Sequence, residues 1–211
     1  GNRSRARAQR LLATSHRLAE RVNHPYAIGL ATMTAGNAAL LDGRWREALV
    51  LCEKAELILR ERCTGADWEI LIAQLSGLAA MFFLGEITAL SRRLPSLLEE
   101  AEGRGNLLRA TFLRIGFCSH VAWLAADDAE TARLELETGL AGWREQRLDY
   151  RHLWVRSAQT DIALYCGEAL PASERLDPGS RAFARMLDRF VQMGFIRSLD
   201  TRARRRLAAA A

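Results

Sequence analysis

Apolar and polar positions along the chain alternate with the period of an α-helix. In the first stretch, Ala8, Leu11, Leu12, Ser15, Leu18, Ala19 and Val22 recur at i, i+3, i+4, i+7 spacing, while Arg3, Arg7, Arg10, Arg17 and Arg21 fall off that stripe. Asn23-His24-Pro25 ends the helix, because the residue before a proline is driven out of the helical region. The same pattern predicts helices over 26–41, 45–62, 68–84, 86–102, 107–125, 129–145, 150–166 and 182–207. They are punctuated by Asp42-Gly43, Thr64-Gly65-Ala66-Asp67, Gly85, Arg104-Gly105-Asn106 and Asp127-Asp128. Asp67 reads as an N-cap, and Asp177-Pro178-Gly179 must interrupt any helix there. The result is about ten helices with no convincing strand, joined by short connections that make neighbours antiparallel.

The helices carry an internal recurrence. Gly36, Ala48, Cys52 and Ala55 in one hairpin match the small-residue spacing of a tetratricopeptide repeat, in which close helix crossing requires small side chains. Ala48, Ala89 and Ala132 follow successive turns at intervals of 41 and 43 residues. A closed bundle of so many helices would need longer return connections, so an open α-solenoid is favoured. The predicted organisation is one all-α domain over 1–211. It has a first helix (1–24), hairpins over 25–66, 67–105 and 106–147, and degenerate C-terminal hairpins over 148–211. The first residue is Gly1, and the expectation is a piece of a longer chain.

Composition agrees with this pattern. Ala, Leu, Arg and Glu make up 113 of 211 residues, whereas Val and Ile give 13, which disfavours a β fold. Among 30 basic residues the single lysine is Lys54, which lies in an amphipathic run without a glycine loop. That argues against a P-loop, a kinase active site and a Schiff-base or pyridoxal enzyme. The uncharged run 70–85 contains Gln74 and Ser76, is short for a membrane span and reads as a fully buried helix. Cys52, Cys63, Cys118 and Cys166 read as reduced and mostly buried thiols, consistent with a cytoplasmic protein.

The net charge of +5 is a property of the ends. Residues 1–24 hold six arginines against one glutamate, and 197–211 hold five against one aspartate, so the body between them is mildly acidic. A nucleic-acid groove needs a continuous basic surface with interleaved aromatics, which this distribution disfavours.

No catalytic, cofactor or metal constellation emerges. Cys118 and His120 are two residues apart on a predicted helix and point about 200° apart, too far to share a metal. Glu99, Glu100 and Glu102 read as a solvated helix end. Trp45, Trp68, Trp123 and Trp143 read as gap fillers near the turns. Arg114, His120, Arg151 and Trp154 are weak candidates for a binding groove; the plain alternative is a packed Trp154 on a helix that opens a hairpin.

Several turn segments resemble a known bacterial region. Asp42-Gly43-Arg44-Trp45 with Ala48, then Leu59-Arg60-Glu61, Cys63-Thr64-Gly65 and Trp68-Glu69, carry the likeness. Leu84-Gly85-Glu86, Arg104-Gly105-Asn106, Leu124-Ala125-Ala126-Asp127 and Arg202-Ala203-Arg204 extend it over nearly the whole chain. They are similar to the TPR-like C-terminal region of multidomain serine/threonine protein kinases that carry an AAA/STAND-type ATPase module. The resemblance implies a non-catalytic interaction or regulatory array whose partner is a protein, a peptide or those intramolecular modules. A small-molecule sensor domain and a nucleic-acid-binding helical arm remain the alternatives.

Overall fold

The computed structural model describes residues 2–141 and 150–168, and every regular element among them is an α-helix. In order these are α1 (Asn2–Val22), α2 (Pro25–Leu41), α3 (Trp45–Arg62), α4 (Asp67–Leu84), α5 (Ile87–Gly103), α6 (Leu107–Arg114), α7 (Ser119–Leu124), α8 (Ala129–Leu140) and α9 (Tyr150–Tyr165). The predicted helix over 182–207, the Asp177-Pro178-Gly179 break and Trp143 lie outside the described residues.

Local chemistry sets the boundaries. Pro25 opens α2, where a missing N–H is tolerated, and the backbone N–H of Tyr26 donates to His24 Nδ1 at 3.3 Å. Asn106 and Asp128 cap α6 and α8 by accepting from Arg109 N and Thr131 N at 3.0 and 2.9 Å. Asp67 is instead the first residue of α4, with Ala66 at the cap position.

The helix ends recur. At Gly85, φ is +74°; Gly85 N–H donates to Phe82 O and Glu86 N–H reaches back to Met81 O. This double bond satisfies carbonyls that the helix end leaves open and requires a left-handed residue. The same bond pair closes α2 at Gly43, α5 at Gly105, α7 at Asp127 and α9 at Gly167, all with positive φ. Four of the five, Gly43, Gly85, Asp127 and Gly167, are spaced 42, 42 and 40 residues apart along the chain, and Gly105 falls between the middle two.

Burial follows the same interval. Ala48, Cys52 and Ala55 of α3 are buried, as are Leu90, Leu94 and Leu97 of α5, and Ala132, Leu136 and Gly139 of α8. Each set lies 42 residues beyond the previous one. Ala89, predicted as the middle member, is exposed; its neighbour Leu90 turns inward. Cys52 sits between two glycines: a Cβ on Gly36 would lie 2.8 Å from its Sγ, and one on Gly77 3.8 Å from its Cβ.

The broad helix contacts join each element to its sequence neighbour or to the next but one: α2 with α3 and α4, α5 with α6 and α7, α6 and α7 with α8, α7 and α8 with α9. The largest apolar cluster lies mid-chain and includes Leu71 and Leu78 of α4, Leu90 and Leu94 of α5, and Phe112 and Leu113 around α6.

Three expectations change. The stretch 107–125 is two helices, not one. Gly116 weakens the helix there and lies so close to Ser119 Oγ that a Cβ would be 2.6 Å away, while Ile115 and Cys118 turn inward on either side. α4 is buried along most of its length, yet Trp68 and Phe83 are exposed. By length and composition α4 could cross a membrane; here Leu71, Leu78 and Gln74 place it at the centre of the core. The apolar stripe of α1 is largely uncovered, with only Ala19 buried.

Candidate interaction surface

α3, α4, α5 and α6 place five polar side chains in a closed ring. Gln74 Nε2 donates to Glu56 Oε1 at 2.7 Å, and Arg109 Nε donates to Gln74 Oε1 at 3.0 Å. Arg109 Nη2 reaches Glu100 Oε2 at 3.1 Å, Arg60 Nη1 bonds Glu100 Oε1, and Arg60 Nη2 returns to Glu56 Oε1 at 2.9 Å. Arg93 adds bonds to Glu56 at 2.5 Å and Glu53 at 2.8 Å. Glu56, Gln74 and Arg109 are buried, so each bond compensates a desolvated group. Burial resists ionisation of Glu100, but the guanidiniums of Arg60 and Arg109 outweigh it and hold the carboxyl below its usual range. Every member is matched, so the ring is a structural tie with no group left over for chemistry.

The sequence-predicted candidates are engaged separately. Arg114 closes α6 and holds Glu135 at 2.8 Å and Glu102, which leaves its guanidinium committed. Glu99 and Glu102 are exposed, as a solvated helix end would be, although Glu102 also meets Arg114; Glu100 is instead half-buried between Arg60 and Arg109. His120 in α7 is buried and bonds Asp161 of α9 through Nε2 at 3.0 Å; its Nδ1 has no partner among the described residues. Burial pushes the His120 pKa below its ordinary value, outweighing the nearby carboxylate. Trp154 packs against the central apolar cluster. Arg151 belongs to α9, and its side chain lies outside the described residues. Arg114 and His120 thus hold different carboxylates and do not converge.

Among the described residues no three His, Cys, Asp or Glu side chains cluster as metal ligands. Cys52 and Cys118 are buried, and burial pushes both thiols up to about 12; Cys63 is half-buried and Cys166 exposed. A cavity of about 190 Å³ between α8 and α9 is lined by Arg133, Leu136, Glu137, Leu140, Gln159 and Ile162. That is below the ~300–1,000 Å³ of small-molecule sites, and none of the predicted candidates lines it.

What the surface offers is aromatic and shallow. Trp45 stacks on Phe83 with ring centroids 5.2 Å apart, Phe83 stacks on Phe117 at 5.7 Å, and Phe82 meets both phenylalanines edge-on. Trp45 opens α3, Phe82 and Phe83 end α4, and Phe117 lies in the break between α6 and α7. Trp45 is half-buried in the gap beside exposed Phe83 and Phe117, which helical periodicity does not single out; the adjacent pair Phe82-Phe83 before Gly85 is the available signal. Trp68 packs edge-on against Phe112 while its outer side faces solvent.

Compared with known proteins, the chain matches no family model, no curated protein and no solved structure.

Proposed function

We propose that the chain is a TPR-like α-solenoid acting as a non-catalytic protein-interaction or regulatory domain. It would dock a protein or peptide in the cytoplasm, including kinase or ATPase modules of its own polypeptide. The observation that carries the reading is the recurrence of one left-handed helix ending at Gly43, Gly85, Asp127 and Gly167. The broad contacts among the described helices fall between near neighbours, which supports it, because a stacked array buries each hairpin against the next. The committed states of Arg114 and His120 count against a small-molecule sensor built on them.

Two measurements test this. Small-angle scattering should give a radius of gyration clearly above the roughly 17 Å of a compact chain of this length; a value near 17 Å overturns the open array. ATP and model esters should show no turnover above buffer with the purified chain. Robust turnover abolishes the non-catalytic reading.

A further inference from the structure

α1 presents an apolar seam that the rest of the array leaves uncovered. Ala19 faces α2 and is buried, with Leu12 and His16 half-buried beside it. At 3.6 residues per turn, Leu11, Leu18 and Val22 fall within about 40° of one another and roughly 90° away from Ala19. They are 62%, 51% and 65% exposed. On the side of the seam away from α2, Arg7, Arg10, Arg17 and Arg21 form a ribbon along the helix, about 80° from the seam.

That ribbon differs from most arginines of the body, although Arg62 and Arg92 likewise hold no carboxylate among the described residues. Arg44, Arg60, Arg93, Arg109, Arg114 and Arg133 each hold a carboxylate. Among the described residues no carboxylate lies within ion-pair distance of Arg7, Arg10, Arg17 or Arg21. Arg10 and Arg17 bond only Ala6 O and Thr14 Oγ1 within α1. The one acidic residue of the helix is Glu20.

An occupant must therefore cover a narrow aliphatic strip and bring negative charge to one flank. An antiparallel second copy of α1 would set two arginine ribbons beside each other, which is repulsive, and a parallel copy would set each ribbon beside the other's α2, which has no acidic residue. A membrane-lying basic helix carries cations on both flanks of its apolar face, often with an aromatic anchor; here α2 takes one flank and the seam is wholly aliphatic. We propose that the Leu11–Leu18–Val22 seam with its arginine ribbon is the docking site for an acidic amphipathic helix of a partner protein. This rests on the interaction-domain reading and specifies its surface and the chemistry of its ligand. The seam from Leu11 to Val22 is about 17 Å long, enough to hold such a helix along about three turns.

The probe is a synthetic helical peptide with a leucine stripe flanked on one side by glutamates, set against a matched peptide with lysines in their place. Anionic vesicles and light scattering report on the lipid and self-association outcomes. The acidic peptide should bind the full chain, and weaken about tenfold or more between about 50 and about 500 mM salt. Leu11→Ser with Leu18→Ser should abolish binding. Arg10→Glu with Arg17→Glu should transfer binding to the lysine peptide. These side chains are exposed, and circular dichroism checks that the helices remain. Absence of acidic-peptide binding, equal binding of both peptides, or vesicle binding or dimerisation lost with the same substitutions would each overturn the proposal. Peptide binding that ignores the α1 substitutions overturns it too, but leaves the interaction-domain reading standing. Enzymatic turnover or a compact scattering radius defeats that reading without touching the α1 result.

Discussion

Arg109→Met isolates what the buried ring contributes. Methionine keeps an apolar stem of similar reach but removes the bonds to Gln74 Oε1 and Glu100 Oε2. Gln74 is completely buried, so its oxygen loses a partner that water cannot replace, at a cost of about 1–3 kcal/mol. The ring also loses one positive charge. Removing one partner of a fully buried pair costs about 3–5 kcal/mol, but Glu100 is partly exposed and keeps Arg60 and Arg104, so only a fraction of that applies. The two contributions give a net destabilisation of about 3 kcal/mol, a drop in Tm of about 6–12 °C for a chain of this size. Thermal unfolding followed by far-ultraviolet circular dichroism measures it. The second variant, Arg109→Met with Gln74→Leu, removes the orphaned amide along with its partner; Glu56 loses one donor but keeps Arg60 and Arg93, so the double variant should be more stable than the single. A single variant within about 0.5 kcal/mol of the parent, or a double variant no better than the single, would refute the view that the ring is a matched and desolvated unit.

The close approach of α2 and α3 gives a steric test. Gly36→Ala puts a methyl 2.8 Å from Cys52 Sγ and should lower stability by about 1–3 kcal/mol, despite alanine's better helix propensity; Cys52→Ala in that background should recover part of the loss. Because burial lowers the His120 pKa, the unfolded chain binds this proton more readily than the folded one. Stability from this residue is thus full above about pH 6.5 and falls as pH drops below it; His120→Gln should flatten that decline in unfolding midpoints between about pH 7.5 and about pH 5.5. Iodoacetamide at mildly alkaline pH should label exposed Cys166 in the native chain, and mass spectrometry should find Cys52 and Cys118 labelled only after denaturation, since burial raises both thiols to about 12.

Helical periodicity and turn residues made much of the architecture legible. α3 matches its predicted span, and Pro25, Gly43, Gly85 and Asp127 act at the turns they marked. The inward register was harder to read. Ala89 and Leu90 are both plausible inner residues on a helix, and only packing against the neighbouring helices selects Leu90. The break after α6 was hidden because Gly116 is the lone weak residue in an otherwise helical run, and single glycines are often tolerated. The buried ring was invisible for a different reason. Glu56, Arg60, Glu100 and Arg109 look like ordinary surface residues until four helices bring them together, although Gln74 within the uncharged run 70–85 marked one buried polar site. For α1 the sequence shows an apolar stripe but conceals that its neighbours leave most of it bare.

The ring also has a mechanical meaning. In the proposed open array, contacts between near neighbours behave as a row of springs in series, and a load on the ends is felt equally by each junction. The junctions are unequal, however. Among the described helices, charged bonds between α3 and α6 cross from helix to helix and must rupture together, whereas α1 leans on α2 through Ala19, a few half-buried residues and the exposed Arg5–Asp42 pair. Under tension α1 would therefore peel away before the segment from α3 to α6 gives, so that the first part to extend is the arginine-rich first helix.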